Sequence, residues 1–528
     1  MSPAAVFARE WPGMPNYQDA FRAGQLRSFH RLAAGDLAGA LARRSPVDRE
    51  ALSAALRSYH RRVLGLRDST EAALRALAEP GSLAVVAGQQ PGLLGGPAYS
   101  VHKAVDAVLL ARKLDRPGRR VVPVFWVASQ DHDQEEIASA RLLDFSERLI
   151  QIRLPLPPRR PSGRMQLQPS WVETVRRELS GFSTSPAFLK LGLGGVEEAA
   201  AGAATFSDWF TRWLYGLLAE QGLLMVDPMQ PELASRMVPG LLRELADPLA
   251  GPESIERAAV ELQALGFPPQ LRRQEGATNL FLELRSGERQ LLRYQEDRFL
   301  ADRSYSAGEL AALLAEDPTR ITPGAGLRPV LQDYLLPTAA LILGPGELGY
   351  LLELAGVYAL HRLEQPLLWP RLQVTWAEPV VSRLLGRYQL QPSDLEGNVQ
   401  AVGERLALER SGLRAEFAER AARLEVDIAE LQSALIRAEP SLSRAAQRSV
   451  HRMQGQVQRL QHLVSREALR RDDQLRSDLD RLRLHLMPGG VRQERSLSFL
   501  TFLLKYGPQP LEKLLSLPPG AQSVVALD

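Results

Sequence analysis

The stretch from Leu83 to Glu136 leaves a chain of this kind few ways to fold. Leu83 to Ala87 is a short apolar run closed by Gly88, the pattern of a strand buried on both faces of a parallel sheet. A loop with Gly92, Gly95 and Gly96 follows, and Pro97 then suits a first helical turn, where its missing N–H has no partner to lose. Val101, Ala104, Val105 and Val108 share one helical face, so this helix packs back on the sheet as the crossover of a right-handed βαβ unit. Val121 to Ala128 reads as the second strand. Its carboxyl end delivers Ser129, Gln130, Asp131, His132, Asp133, Glu135 and Glu136 beside the glycine loop, at the sheet edge where open α/β folds bind ligands.

The loop has neither G-x-x-x-x-G-K-[ST] nor a clean G-x-G-x-x-G, so the common phosphate and dinucleotide fingerprints do not apply. Gln89, Gln90, Gly92, Gly96 and Pro97 still lead into a helix N-terminus, whose free N–H groups attract a carboxylate or phosphate; the other reading is that the glycines serve backbone geometry alone. Lysine is scarce, occurring only at 103, 113, 190, 505 and 513, so Lys103 in this motif marks a place for a compact ammonium, with Tyr99 one turn before it. The same plan recurs later. Ala339 to Leu343 is a core strand, Gly344-Pro345-Gly346-Glu347 is its turn, and a helix runs on through Tyr350. Two such turns flanking one sheet make the walls of a crevice.

Asp131, His132 and Asp133 are the candidate catalytic residues, with His132 able to exchange a proton near neutrality when a carboxylate orients it. No metal is expected, because three adjacent side chains on an extended strand cannot all converge on one ion. A serine triad has no G-x-S-x-G elbow to support it. Trp126 reads as core or as the floor of the pocket.

The runs GQQPGLLGGPAYSVHK and PVFWVASQDHDQEE resemble the cysteine-adding enzymes of bacillithiol biosynthesis, whose members carry a similar glycine loop and a strand ending in DHD. GPGELGY from Gly344 and VRQERSLSFLTFLLKYG near the carboxyl end extend the resemblance over most of the chain. It departs at Ser129-Gln130, where an acidic residue commonly precedes the DHD, and at Ser498, where asparagine is expected. The resemblance implies an α/β, Rossmann-like, nucleotidyltransferase-like core with connective insertions and an antiparallel α-helical coiled coil. It implies a ligase that joins the carboxylate of cysteine to the amine of glucosaminyl malate, with ATP or another adenine nucleotide as the natural activator. In that scheme Gln89, Gln90 and the turn from Gly92 to Pro97 hold an anion, and Tyr99 and Lys103 position it. Asp131 and Asp133 grip the amine and His132 moves a proton. Gly344, Gly346, Glu347 and Tyr350 complete the substrate site, and Gln493, Arg495, Lys505 and Tyr506 line a nucleotide pocket.

The rest of the chain divides into a helical cap over 1–80, a core over 81–395 with insertions at about 151–206 and 251–337, a coiled-coil hairpin over 396–487, and a segment over 488–528 that returns to the core. Pro155 to Pro169 reads as an extended excursion. NLFLEL and RQLLRY, joined at Ser286-Gly287, form a β-hairpin of the connective-insertion kind. Phe417, Ala421, Leu424, Ile428, Leu431 and Leu435 form one heptad seam; Met453, Val457, Leu460 and Val464 continue it; Leu475, Leu479, Leu482 and Leu486 make a third run. The break at Glu439-Pro440-Ser441 turns the region into two antiparallel arms of about 60 Å each. Such seams predict a homodimer.

Acids and bases nearly balance, 61 against 64, with no basic block, so nucleic acid is not an expected partner. No apolar run has membrane length and no signal pattern opens the chain, which predicts a cytoplasmic protein without a membrane partner. With no cysteine there are no disulfides or thiolate metal sites. Two other functions fit the same features: a different amino-acid-activating ligase, and a noncatalytic scaffold that recruits partners through its coiled coil.

Overall fold

A computed structural model describes residues 16–271 and 273–528, without the side chains of 413–415, 417, 418 and 461; residues 1–15 of the expected helical cap therefore lie outside the description. Five parallel strands form the central sheet: β1 (Leu83–Gln89), β2 (Val121–Val127), β3 (Leu224–Val226), β4 (Thr338–Leu343) and β5 (Leu367–Pro370). Their order is β5-β4-β1-β2-β3. The chain thus steps outward from β1 on one side, then returns to lay β4 and β5 on the other. The topological switch point falls between β1 and β4, whose carboxyl ends carry the two glycine turns. β1 and β2 pair from Leu83–Val121 to Gln89–Val127, so the two motifs end level with one another.

Helix α1 (Tyr99–Leu114) is the crossover, and it is buried nearly all round rather than on one face. The sheet covers one side, and the segment Leu497–Ser523 belongs to the same compact unit and covers more of it. Asp106 fixes that cover, its buried carboxylate accepting the Leu372 and Gly520 backbone N–H groups at 2.8 Å each. The turn before α1 has three successive left-handed residues, Leu94, Gly95 and Gly96, with φ of 53°, 82° and 66°. At Gly95 a Cβ would stand 2.2 Å from the Trp213 ring.

The expected hairpin is present as Ala277–Glu283 and Arg289–Gln295, within a five-stranded antiparallel sheet. It is less separate than an insertion implies, because Leu280, Leu282 and Leu292 share one continuous apolar core with Val86, Val124 and Trp126. The proline-rich segment is likewise not an excursion. Ser162 N donates to Asp131 O (3.0 Å) and Gly163 N to Ser129 O (2.9 Å), satisfying carbonyls just beyond β2 where the sheet no longer can.

The second compact unit comprises Thr375–Ser496 and Val524–Asp528. Its helices Leu413–Ala438 and Ser443–Arg471 turn back at Pro440 as an antiparallel hairpin of 26- and 29-residue arms, each about 40 Å rather than 60 Å long. The arms are shorter because Leu475, Leu479, Leu482 and Leu486 sit on a separate helix and pack with Val381, Leu384 and Leu406 in a globular base. Along the hairpin Ala421, Ile428 and Val457 are buried, whereas Leu424, Leu431 and Leu460 are 46%, 66% and 55% exposed. Among the described residues no helix is long and apolar enough to cross a membrane.

Gly95→Ala should lower the stability of the first unit by roughly 2–4 kcal/mol, the cost of a left-handed alanine plus overpacking against Trp213. Denaturant unfolding followed by tryptophan fluorescence measures it, and an unshifted first transition would show that the turn relaxes freely.

Candidate functional site

Lys103 lies four residues into α1, one turn beyond Tyr99, so both side chains leave the helix on the same face toward the end of β1. Its ammonium is 2% exposed and is held by Gly88 O (3.1 Å), Gln89 Oε1 (2.9 Å) and Glu347 Oε2 (2.5 Å). Burial pulls the Lys103 pKa down, and Glu347 opposes that pull. Glu347 stands in the first turn of α2 (Pro345–Leu352), where its Oε2 also accepts the Gly344 N–H at 2.8 Å. The two predicted turns therefore meet across the switch point through one ion pair. Gly346 sits half-buried in that first turn. Tyr350 accepts a hydrogen bond from Arg328 Nη2 (3.1 Å), and the Arg371 guanidinium lies 5.2 Å from the Tyr99 ring centre.

Beyond β2 the polar run does several different things. Asp131 receives Gln90 Nε2 and the His132 N–H (2.9 Å). Asp133 is the N-cap of the short helix Gln134–Ile137, accepting from Glu135 N (3.2 Å), so one oxygen of its carboxylate serves the backbone. That helix swings Glu136 back toward β1. Its Oε1 accepts hydrogen bonds from Gln89 Nε2 and Tyr99 OH, each at 3.2 Å. Burial first, then the Asp131 and Asp133 charges, push the Glu136 carboxyl up to about 7. Glu136 was not among the expected catalytic residues, although the spacing Asp133-x-x-Glu136, a cap followed by an acid three residues on, marks it.

His132 goes the other way. Burial, then Arg289 and Arg159, outweigh the pull of Asp131 and bring its pKa down to about 4. Arg289 Nη1 lies 3.1 Å from His132 Nδ1 and 3.7 Å from Asp131 Oδ1. Neither Arg289 nor Arg328 was expected from the sequence, since both come from the region read as an insertion. A pKa lowered in this way disfavours the proton exchange near neutrality expected of His132.

Other expected residues find partners within the fold. In the turn before α1, Gly96 N donates to Leu93 O (3.0 Å), Ala98 N to Leu497 O (2.8 Å) and Ser100 N to Pro97 O (2.9 Å), so these three amides are not among those offered to an anion, while Ser498 Oγ donates to Leu94 O (2.6 Å). Trp126, 1% exposed, belongs to the core and not to a pocket floor. Gln493 has its amide engaged by the backbone of its own unit, accepting from Trp376 N (2.8 Å) and donating to His485 O (2.8 Å) and Trp376 O (3.2 Å), so both its N–H donors are taken. Arg495 is exposed in that second unit; Lys505 and Tyr506 belong to the first, where Lys505 Nζ lies 4.8 Å from the Phe145 ring centre and the Tyr506 ring 5.6 Å from it.

Residues 15–372 match the family model described as "Bacillithiol biosynthesis BshC, N-terminal Rossmann-like domain", and residues 374–524 the one described as "Bacillithiol biosynthesis BshC, C-terminal coiled-coil domain". A protein of Thermus thermophilus named "Putative cysteine ligase BshC" is 39% identical over 507 residues, covering 96% of each chain. Proteins of the same name from Salinibacter ruber (30% over 485 residues, 90% of this chain and 88% of that one) and Bacillus licheniformis (29% over 490 residues, 90% of each) are also similar.

The Glu136 carboxyl makes a pH prediction with a definite sign. Its folded value of about 7 lies above the ordinary 4.5, so the folded chain binds the extra proton between those values and loses stability as pH rises through them. Glu136→Gln removes that loss. Its melting temperature relative to the native chain should be unchanged near pH 4.5 and climb to a positive plateau above pH 7; a pH-independent difference would refute the assignment.

Proposed function

The chain belongs to the BshC family of bacillithiol biosynthesis, and from that premise we propose that it is a cysteine ligase joining the carboxylate of L-cysteine to the amine of glucosaminyl malate, an amide-forming reaction. The observation that carries this reading is the Glu136 carboxyl, raised to about 7 beside Asp131 and hydrogen-bonded to Tyr99 at the switch-point crevice. An amine reaches the enzyme as an ammonium and must lose a proton before it attacks. Asp131 and Glu136 attract the cation, and Glu136 has the proton affinity to act as the base. Arg328, beside Tyr350, supplies the positive side of the crevice, where the cysteine carboxylate is oriented, while Lys103, its three donors taken by Gly88, Gln89 and Glu347, fixes the wall behind it.

A free carboxylate is a poor acyl donor, and an adenine nucleotide would supply its activation. Of the residues expected to hold one, Gln493 has its amide engaged by the backbone of its own unit, and no step is assigned through the nucleotide. As for partners, the exposed Leu424, Leu431 and Leu460 favour a second copy of the chain packed along the hairpin.

With cysteine, glucosaminyl malate and ATP, the purified protein should form bacillithiol, measured by thiol labelling and mass spectrometry. Cells whose only copy carries Glu136→Gln, Asp131→Asn or Lys103→Met should lose bacillithiol and accumulate its glucosaminyl malate precursor. Normal bacillithiol in cells carrying folded variants would overturn this site. Thermal stabilisation by another amino acid but not by cysteine would redirect the reading to a different ligase, and no stabilisation by any of the three substrates would favour a scaffold. Light scattering should give a dimer that Leu431→Glu with Leu460→Glu converts to a monomer; a monomeric native chain would refute the pairing.

A further inference from the structure

Arg289 is a buried guanidinium, 7% exposed, brought to the end of β2 by the antiparallel sheet. It is held on every side. Nε donates to Thr322 Oγ1 (2.8 Å), Nη2 to Pro323 O (2.6 Å), its carbon lies 3.9 Å from the Phe281 ring centre, and its backbone N–H donates to Arg159 O (2.8 Å). So fixed, it points Nη1 at His132 Nδ1.

We propose that Arg289 is a positioning residue that locks His132 in its Nε2–H form, making the imidazole a hydrogen-bond donor to the oxygen that becomes negative as the amine adds to the acyl carbon. A guanidinium has only donors, so an Nδ1 at 3.1 Å from Nη1 must present its lone pair, and the ring proton of neutral His132 then resides on Nε2. Protonating Nδ1 would set N–H against N–H. The charged groups around the ring are Arg289 on the hairpin, Arg159 on the proline-rich segment, and Asp131 on its own strand end, whose Oδ1 lies 3.9 Å from Nδ1; Phe281 covers it at 5.9 Å between ring centres. Among the described residues Nε2 has no hydrogen-bonding partner, so its donor is free for a ligand. An uncharged donor fixed before the reaction needs no reorganisation when the oxyanion forms. The identity of the oxyanion rests on the ligase reading; the state of the histidine does not.

The full-length protein with 15N-labelled histidine tests this, the His132 signal being assigned by its loss in His132→Gln. The native chain should show the Nε2–H form, with no titration between about pH 5.5 and 8.5. Arg289→Met should release the Nε2–H preference, so that an Nδ1–H population appears, raise the His132 midpoint above that of the native chain while burial still holds it below the free value, and lower kcat about 100-fold, the usual effect of losing one oxyanion donor, with KM little changed. Arg289→Lys should not rescue it, since an ammonium lacks the fork that Thr322 and Pro323 hold. His132→Gln, whose amide donor replaces Nε2–H, should retain at least roughly tenfold more activity than His132→Ala. An Nδ1–H form or a midpoint near 6.5 in the native chain overturns the proposal, as does equal loss in the glutamine and alanine variants. Should Arg289→Met not fold, the native signal and the His132 pair decide. A native chain that holds the Nε2–H form yet adds no cysteine would refute the ligase reading alone.

Discussion

Everything at the crevice depends on one buried ion pair, Lys103 with Glu347. An ammonium at 2% exposure has lost its water, and desolvation costs several kcal/mol unless charge and hydrogen bonds replace it. Glu347 supplies the charge, and Gly88 O and Gln89 Oε1 complete the shell. Each contact comes from a different part of the switch point: the end of β1, the first turns of α1, and the turn after β4. The pair therefore fixes the spacing of both crevice walls. Glu347 also caps its own turn through Gly344 N, so the charge that steadies Lys103 is the one that shapes the opposite wall.

On this frame, two titratable groups four residues apart are driven in opposite directions. Glu136 sits among carboxylates and burial, which favour its proton; His132 sits among guanidiniums and burial, which disfavour one. Groups separated in this way take separate roles, one accepting a proton and the other donating a hydrogen bond. The separation depends on the fold placing Arg289 and Arg159 beside His132, where they and burial outweigh Asp131, while Asp131 and Asp133 together raise Glu136. A helix begun by Asp133 makes that division, because it turns the chain between the two residues.

The sequence made the βαβ unit, its second copy around Gly344, the hairpin strands and the antiparallel arms legible, because each is written in local periodicity and turn chemistry. Lys103 and Glu347 were legible as members of matching turns. What could not be read were partners set by long-range closure. Ser498 reaches Leu94 across 404 positions, and no local pattern announces that a carbonyl from Leu497 will occupy the Ala98 amide just before α1. Arg289 was hidden for a related reason: in a strand of alternating residues it looks like an outward-facing charge, and only the pairing of two sheets in one core turns it inward. Leu475 to Leu486 keep heptad spacing on a helix that packs in a globular base, since a stripe of leucines specifies a buried face and not what covers it.

The two departures from the family pattern show how the surroundings of the site absorb change. Where an acidic residue commonly precedes the DHD, Ser129 instead donates through Oγ to Asp227 at the end of β3, so a carboxylate still stands beside the strand end, supplied by the neighbouring strand. Asp227 is steadied by Met229 N (2.9 Å) and Gln230 Nε2 (3.1 Å), and burial raises its pKa. At position 498 the serine hydroxyl donates to Leu94 O and accepts from Leu500 N (3.1 Å), one small group closing both the strained turn and the start of the last helices. At each place a partner reaches in from a distant part of the chain, Asp227 from the end of the neighbouring strand and Ser498 from the closing segment, so the shell around the site is set by long-range closure and not by local sequence.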